Sequence, residues 1–439
     1  MLNKKNKDVL IIGFALFAMF FGAGNLIFPP ALGQLTGDKT LLAVIGFLIT
    51  GVGLPLCGII AVANCGGNLE VLGSNVSKKF GVFISVVVTL AIGPFLAIPR
   101  TSATTFEMSV LPFFSEANNL SFSIVFSIVY FAIVLFFVLR PSSVIDNIGK
   151  ILTPVLFITL LVIIVKGIVT PIGELGINHI DKPFATGFQE GYQTMDALAA
   201  TVLGSIVVAS IRSKGYRGTK EVSSLTIKSG LVAIFGLAII YGGLAFLGAT
   251  ATTLPMDIPR TKLIMLITES ILGTSGKILL ALSVGLACLT TSIGLVAATG
   301  EYFSKLTKNK LSYSFICVVT SVISIVISNI GVDQITSLAV PLLVILYPVV
   351  IALVSMIFLD KYIPHRAVYA IGVYTTLLVS VLELIAKYMG KNSFLYSIYT
   401  LLPLASQGFA WVVPTIVTTV IAGIFIKVFN IKDSTSKVY

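Results

Sequence analysis

A chain of 439 residues that is 56% hydrophobic, only 11% charged and +1.03 in mean hydropathy has too much apolar surface for a soluble globule. Its formal net charge of +11 would suit a nucleic acid, but the basic residues fall in alternate loops instead of one tail or one aromatic-interleaved patch. A P-loop, a Ser/His/Asp grouping and an intramembrane histidine are all missing from the sequence, so an ATP-driven pump or a membrane enzyme lacks its parts.

Apolar runs of about 20 residues recur, each long enough to cross roughly 30 Å of hydrocarbon. Set against turn signals they predict about 12 transmembrane helices, over residues 9–30, 40–62, 80–112, 120–139, 148–169, 184–211, 226–250, 276–303, 311–330, 334–358, 367–388 and 398–428. Lys4, Lys5 and Lys7 before the first run imitate a signal peptide, but no cleavage site follows and the run is read as a retained span. Lys and Arg are more than twofold enriched in the loops that share a side with both tails, which predicts cytoplasmic termini. Two outer stretches, 170–183 and 251–275, are read as lids or packing elements, the second with a short surface helix around Leu263, Ile264, Leu266 and Ile267. Cys57, Cys65, Cys288 and Cys317 form no Cys-x-x-Cys pair, and His179 and His365 lie in different loops, so neither a transition-metal site nor a disulfide framework is expected.

The first span, Phe17 to Pro30, reads FAMFFGAGNLIFPP. Gly22, Gly24 and Asn25 weaken its helical ladder and Pro29-Pro30 are expected to end it. A helix broken inside a bilayer leaves backbone groups that need partners, so the break is a candidate binding site; packing notches for a neighbouring helix are the other reading of these glycines. With Ala23 and Gly24, Asn25 would present free N–H groups at a half-helix end, a place that favours an anionic group such as an α-carboxylate.

In the sixth span, FATGFQEGYQTMDALAATVLGSIVVAS, Asp196 lies about thirteen residues from the outer start; Gly22 lies about thirteen residues from the inner start of the first span. Two interruptions at similar depth from opposite sides are what two inverted five-span repeats would place near the midplane. On this positional reading residues 9–169 form the first repeat, 184–358 the second, and 367–428 two additional C-terminal spans, within one transporter domain over 1–439. Asp196 either contacts a substrate ammonium, a coupling cation or the unwound backbone, or caps the inner half of its own span.

Ala287, Cys288, Leu289, Thr290, Thr291 and Ser292 bring three successive hydroxyls into the eighth span. Each could bond back to a carbonyl one turn earlier; alternatively, adjacent hydroxyls and the Ala287 carbonyl could join freed carbonyls of the first span around sodium. In the third span, IGPFLAIPRTSATTFE, Pro94 and Pro99 predict a bend. Arg100, some 20 residues from Phe80, would lie about 30 Å along a straight helix and so near the outer interface. It would then snorkel, or form an outer-gate ion pair with Glu107 or Glu190.

FFGAGNLIFPP, IGPFLAIPRTSATTFE and the ACLTTSIG run resemble the branched-chain amino acid:cation symporter family, the BrnQ-type carriers, over essentially the whole chain. The resemblance implies cation-coupled uptake, typically with sodium, of leucine, isoleucine and valine across a bacterial inner membrane, with no organic cofactor. GAGN and the Ala-x-Leu-Thr-Thr-Ser run are also similar to the five-plus-five inverted-repeat transporters typified by the bacterial leucine transporter. That likeness implies sodium held by the carbonyls of Ala18, Phe21 and Ala287 and the hydroxyls of Thr290 and Thr291, and a substrate carboxylate on the amides of Ala23 and Gly24, beside Gly22 and Asn25. Thr194, Met195, Asp196 and Ala197, where this chain departs from those distant relatives, would supply the other half of the substrate site. The proton-coupled alternative makes Asp196 the proton carrier, and a passive channel is the remaining one.

Overall fold

The computed structural model describes residues 4–65, 69–114, 120–140, 144–177 and 180–429, so His179 and the chain ends lie outside the described residues. Every regular element among them is helical: α1 (Lys4–Phe20), α2 (Ala23–Thr36), α3 (Thr40–Leu48), α4 (Leu54–Cys65), α5 (Leu69–Ser74), α6 (Lys78–Leu90), α7 (Ala97–Ser109), α8 (Leu120–Val138), α9 (Val144–Val169), α10 (Pro183–Tyr192), α11 (Asp196–Ser213), α12 (Thr219–Ala249), α13 (Arg260–Leu306), α14 (Tyr313–Ser328), α15 (Val332–Phe358), α16 (Arg366–Met389), α17 (Phe394–Leu401) and α18 (Val412–Val428). Seven helical segments among the described residues are long and apolar enough to cross a membrane.

The interruptions matter more than the helices. α1 and α2 are separated at Phe21 and Gly22, and α10 and α11 at residues 193–195, where Met195 takes a left-handed φ of 63°. Single π-helical turns at Ile49–Gly53 and Ala91–Phe95 join α3 to α4 and lead α6 toward α7. In the second of these turns Gly93 (φ −84°, ψ −122°) leaves helical geometry, the bend that Pro94 and Pro99 lead one to expect. Pro29 and Pro30 do not end the first span: α2 runs through both to Thr36. A proline φ suits a helix, and the lost bonds to the Asn25 and Leu26 carbonyls, with the rings set against those carbonyls, are offset in a segment whose packing holds Leu26, Ile27 and Phe28 fully buried.

The chain divides into two compact units, each assembled from three stretches. The first comprises Met1–Gly53, Thr89–Asp196 and Ile227–Ala339. Two glycine-mediated helix crossings organise it. A Cβ at Gly33 of α2 would strike the Ala245 carbonyl of α12, and one at Gly248 of α12 would strike the Pro30 carbonyl of α2. In the same reciprocal way Gly46 of α3 abuts the Phe184 carbonyl of α10, and Gly187 of α10 abuts the Ala43 carbonyl of α3. Backbones come this close only where no side chain stands between them.

The stretch 170–183 is tied down by backbone bonds, Asp38 N–H to the Gly176 carbonyl at 2.7 Å and Gly176 N–H to the Ala249 carbonyl at 3.1 Å. The helix expected within 251–275 begins at Arg260, directly after Pro259, and turns at Gly273 (φ 66°) into the rest of α13. Its Leu263, Ile264 and Ile267 are buried, so it packs into the unit instead of lying on its surface.

The second unit comprises Leu54–Val88, Ala197–Thr226 and Val340–Tyr439. Val379, Ala386, Tyr399, Ala405, Ala410 and Trp411 form a buried cluster within it. α16 and α18 are joined there by a Thr376–Thr415 hydroxyl pair at 2.7 Å. His365 accepts the Ala367 N–H at the start of α16, a capping role.

Candidate functional site: two facing helix breaks

The site lies within the first unit. The ladder of α1 closes with the Phe21 N–H on the Phe17 carbonyl at 2.8 Å. The next amide, Gly22 N–H, turns instead to Asn25 Oδ1 at 3.1 Å, so the Ala18 carbonyl loses the donor a continuous helix would give it. Gly22 is extended (φ −113°, ψ −166°), and the first turn of α2 then presents Ala23, Gly24 and Asn25, all buried.

Asn25 is the joint between the two breaks. Its Nδ2 donates to Asp196 Oδ2 at 2.6 Å and to the Tyr241 hydroxyl of α12. Asp196, the first residue of α11, also has Thr194 and Tyr241 as side-chain partners and lies within electrostatic reach of Arg100. Its carboxylate is thus bonded across to the first span, and the Asp196 N–H is met by Thr194 Oγ1 at 3.4 Å. Met195 and Thr194 are buried in the same junction; Ala197, also buried, belongs to the second unit, where its carbonyl faces Gly58.

Arg100 is not at an interface. It is 3% exposed, with Nη1 donating to the Gln193 carbonyl at 2.6 Å and Nη2 to the Thr194 carbonyl at 3.3 Å, both released by the break before α11. The straight-helix count fails because the π-turn and Leu96 (φ −129°, ψ −64°) interrupt the span, which puts Arg100 in the first turn of a new helix. Gly24 makes room for it: a Cβ there would lie 2.8 Å from Nη2. The guanidinium is also 5.4 Å from the centre of the Phe28 ring.

Neither acid expected to pair with Arg100 does so. Glu190 takes both terminal nitrogens of Arg260, at 2.9 and 3.4 Å, and Arg260 in turn lies 5.0 Å from the Phe28 ring centre. Glu107 accepts the Thr261 hydroxyl at 2.6 Å and the Val332 N–H at 2.8 Å. Glu190 and Glu107 thus hold the beginning of α13, and Arg100 holds the break of the sixth span.

The three hydroxyls of α13 point in three directions, as a helix that turns about 100° per residue requires. Thr290 Oγ1 bonds back to the Ala287 carbonyl at 2.9 Å, and Ser292 accepts from Thr101 of α7 at 3.2 Å. Thr291 Oγ1 is buried with no partner among the described residues, and a Cβ on Gly22 would lie 3.7 Å from it. Thr291 therefore faces the break that releases the Ala18 carbonyl.

Tyr241, Phe28, Arg260 and the Gln193 carbonyl were not legible as site groups. Tyr241 sits mid-span among apolar residues, and its only sequence signal is the small pair Gly242-Gly243 beside it.

A family model described as "Branched-chain amino acid transport protein" matches residues 5–429. The chain belongs to this family of transporters. It is 42% identical over 421 residues to the branched-chain amino acid permease BraB of Bacillus subtilis, covering 94% of each chain. It is 36% identical over 427 residues to the branched-chain amino acid transport system 2 carrier protein of Pseudomonas aeruginosa, covering 96% of this chain and 97% of that one. Among solved structures it is similar in fold to Mhp1, a nucleobase-cation-symport-1 family transporter in a closed conformation with bromovinylhydantoin bound. That match has a TM-score of 0.63 at 12% identity and covers 95% of this chain and 92% of that one. A manganese transporter of Eremococcus coleocola aligns with a TM-score of 0.57, covering 94% and 95%. The fold is that of a helical membrane transporter.

Proposed function

We propose that this protein is a sodium-coupled symporter that carries leucine, isoleucine and valine into the cell by alternating access. The observation that carries the reading is the junction itself, in which two broken helices are bonded through Asn25, Asp196 and Tyr241 and spanned by Arg100. The amino acid binds there, its carboxylate on the N-terminal amides of α2 at Ala23 and Gly24 and its ammonium toward Asp196 and the adjacent Thr194 and Met195. Sodium, the coupling ion, lies between the break after α1 and the Thr290-Thr291 turn of α13. The unpartnered Thr291 hydroxyl and the released Ala18 carbonyl support that placement, with Phe21, Ala287 and Thr290 completing an oxygen shell. Relatives named as branched-chain amino acid carriers support the substrate class. An apolar pocket separates aliphatic side chains by only about 1–3 kcal/mol per methylene, so all three substrates are accepted.

The two reciprocal glycine crossings support the inverted-repeat layout. The first span packs on the seventh and the sixth on the second, the span pairs that two repeats would exchange. The Lys and Arg distribution supports cytoplasmic termini. Arg260 and Glu190 over Phe28 then form the outer gate.

Proteoliposomes given labelled leucine outside, under an inward sodium gradient, test the coupling. Accumulation that requires sodium and is abolished in Thr290→Ala/Thr291→Ala supports the reading. Accumulation driven by external acid and insensitive to sodium moves the coupling to Asp196, and no accumulation under either gradient sinks the symporter.

A further inference from the structure

At the end of α10 each carbonyl from Glu190 to Thr194 has a donor. Glu190, Gly191 and Tyr192 accept the N–H groups of Gln193, Thr194 and Met195 at 3.0, 3.4 and 3.1 Å, the tight turns with which the helix ends. The next two carbonyls, of Gln193 and Thr194, accept Arg100 Nη1 and Nη2 at 2.6 and 3.3 Å. The break after α1 is different. Its Ala18 carbonyl has lost the Gly22 N–H to Asn25, and the buried Thr291 hydroxyl that faces it has no partner among the described residues. One break therefore keeps oxygens available to a cation, while the other has its own occupied by a side chain.

That side chain is itself a cation. Two released carbonyls near the buried carboxylate of Asp196 make an oxygen-rich pocket of negative potential, where a positive charge is stabilised inside a bilayer. Arg100 brings into it a charge that stays on at any physiological pH, carried on a planar fork that spans both oxygens. The surroundings fit that fork. Gly24 leaves the space, since a Cβ there would lie 2.8 Å from Nη2, and the Phe28 ring centre is 5.4 Å from the guanidinium carbon. A second free cation would have to share these oxygens with the buried guanidinium, and like charges so close in a low dielectric repel strongly.

We propose that Arg100 is a built-in cation standing where a second coupling ion would bind, so that each transport cycle carries one free cation with each amino acid. Arg100 and Asp196 travel out and back with the protein and move no net charge, and an amino-acid zwitterion is neutral. One positive charge therefore crosses per cycle, and a potential negative inside drives uptake. That the protein is a symporter and that the free cation is sodium rest on the function proposed above; the filling of the second break by Arg100 does not.

The ion count is read on the wild-type protein in liposomes, as the ratio of labelled leucine, inside to outside, at which net flux stops. With the potential clamped at zero, a tenfold inward gradient of the driving ion should hold a tenfold leucine ratio. With equal ion concentrations, a potential of about 59 mV, negative inside, should hold the same ratio. A hundredfold ratio under either condition means two ions, which overturns the proposal and leaves the symporter standing. A tenfold ratio held by acid instead of sodium upholds the count of one and moves the coupling to the proton. The charge itself is read in Arg100→Ala, in detergent, on the folded fraction. Its apparent affinity for L-leucine should fall at least tenfold and recover with millimolar guanidinium, but not with urea, the planar neutral counterpart. Recovery with urea as well reduces Arg100 to hydrogen bonding, and recovery with neither denies a cation its place there; either result overturns the proposal. Should Arg100→Ala yield no folded protein, the wild-type ratio decides by itself. If neither ion holds a leucine ratio the symporter falls, and the guanidinium result decides the role of Arg100 alone.

Discussion

Asn25 has one side-chain amide and uses both of its ends at the junction: Oδ1 holds the Gly22 N–H, and Nδ2 holds Asp196 and Tyr241. Tyr241 is fully buried, stacked near Phe21 and edge-on to Phe47, so Tyr241→Phe keeps the ring packing and removes only the hydroxyl. A hydrogen bond in such a network contributes about 1–2 kcal/mol, so the melting temperature should fall, and the half-saturating leucine concentration should rise by up to roughly tenfold as Asn25 loses one of its anchors. Uptake kinetics beside a melting curve check this; equal uptake in variant and wild type removes Tyr241 from the site. Arg100 admits a sharper comparison. Lysine keeps the charge near Asp196 but cannot fork across two carbonyls, so Arg100→Lys should fold and lose about tenfold or more in uptake. Arg100→Met leaves a buried carboxylate without its neighbouring cation, and should lower stability by about 3–5 kcal/mol, read as loss of folded protein on size-exclusion chromatography.

The crossings of α2 with α12 and of α3 with α10 each rest on a pair of glycines that let backbone meet backbone. An alanine at Gly33, Gly248, Gly46 or Gly187 has no flexible side chain to displace, because the obstacle in every case is a carbonyl or other main-chain atom. Each substitution should destabilise by on the order of 2 kcal/mol, read as a lower melting temperature. Gly423 serves as the control. It meets nothing within 4 Å, and an alanine there should leave the melting temperature unchanged or slightly raised. The presence of breaks was legible at this scale, since Gly22, Gly24 and Asn25 together remove ladder stability, and Pro94 with Pro99 announce a bend. Their extent was not. Two prolines in succession read as a helix end, yet α2 continues six residues beyond Pro30, because burial on neighbouring helices outweighs two missing bonds.

Over the whole molecule, coupling requires that sodium and amino acid stabilise one conformation together more than either does alone. In sodium, leucine at 100 times its dissociation constant should stabilise the protein by about 2.7 kcal/mol, and in potassium by far less, as a melting curve would show. Linkage also demands that sodium lower the leucine dissociation constant by the same factor that leucine lowers that of sodium. Unequal factors in equilibrium binding would exclude a single coupled junction.

Sequence by itself determined that this is a helical membrane protein, that its first and third spans are interrupted, and that Asn25, Asp196 and the Thr290-Thr291 pair are the residues to watch. These follow from local quantities: hydropathy over about 20 residues, the helix propensity of glycine, proline and asparagine, and the cost of an ionisable group in hydrocarbon. Tertiary structure alone decided which groups meet. Arg100 reaches the Gln193 and Thr194 carbonyls instead of an interface, Glu190 chooses Arg260, and Tyr241 closes the network around Asn25. Each partnership joins residues 70 or more positions apart through bends that a straight-helix count does not include. Distance along a chain is set by covalent geometry, whereas distance between two breaks is set by how the intervening helices pack.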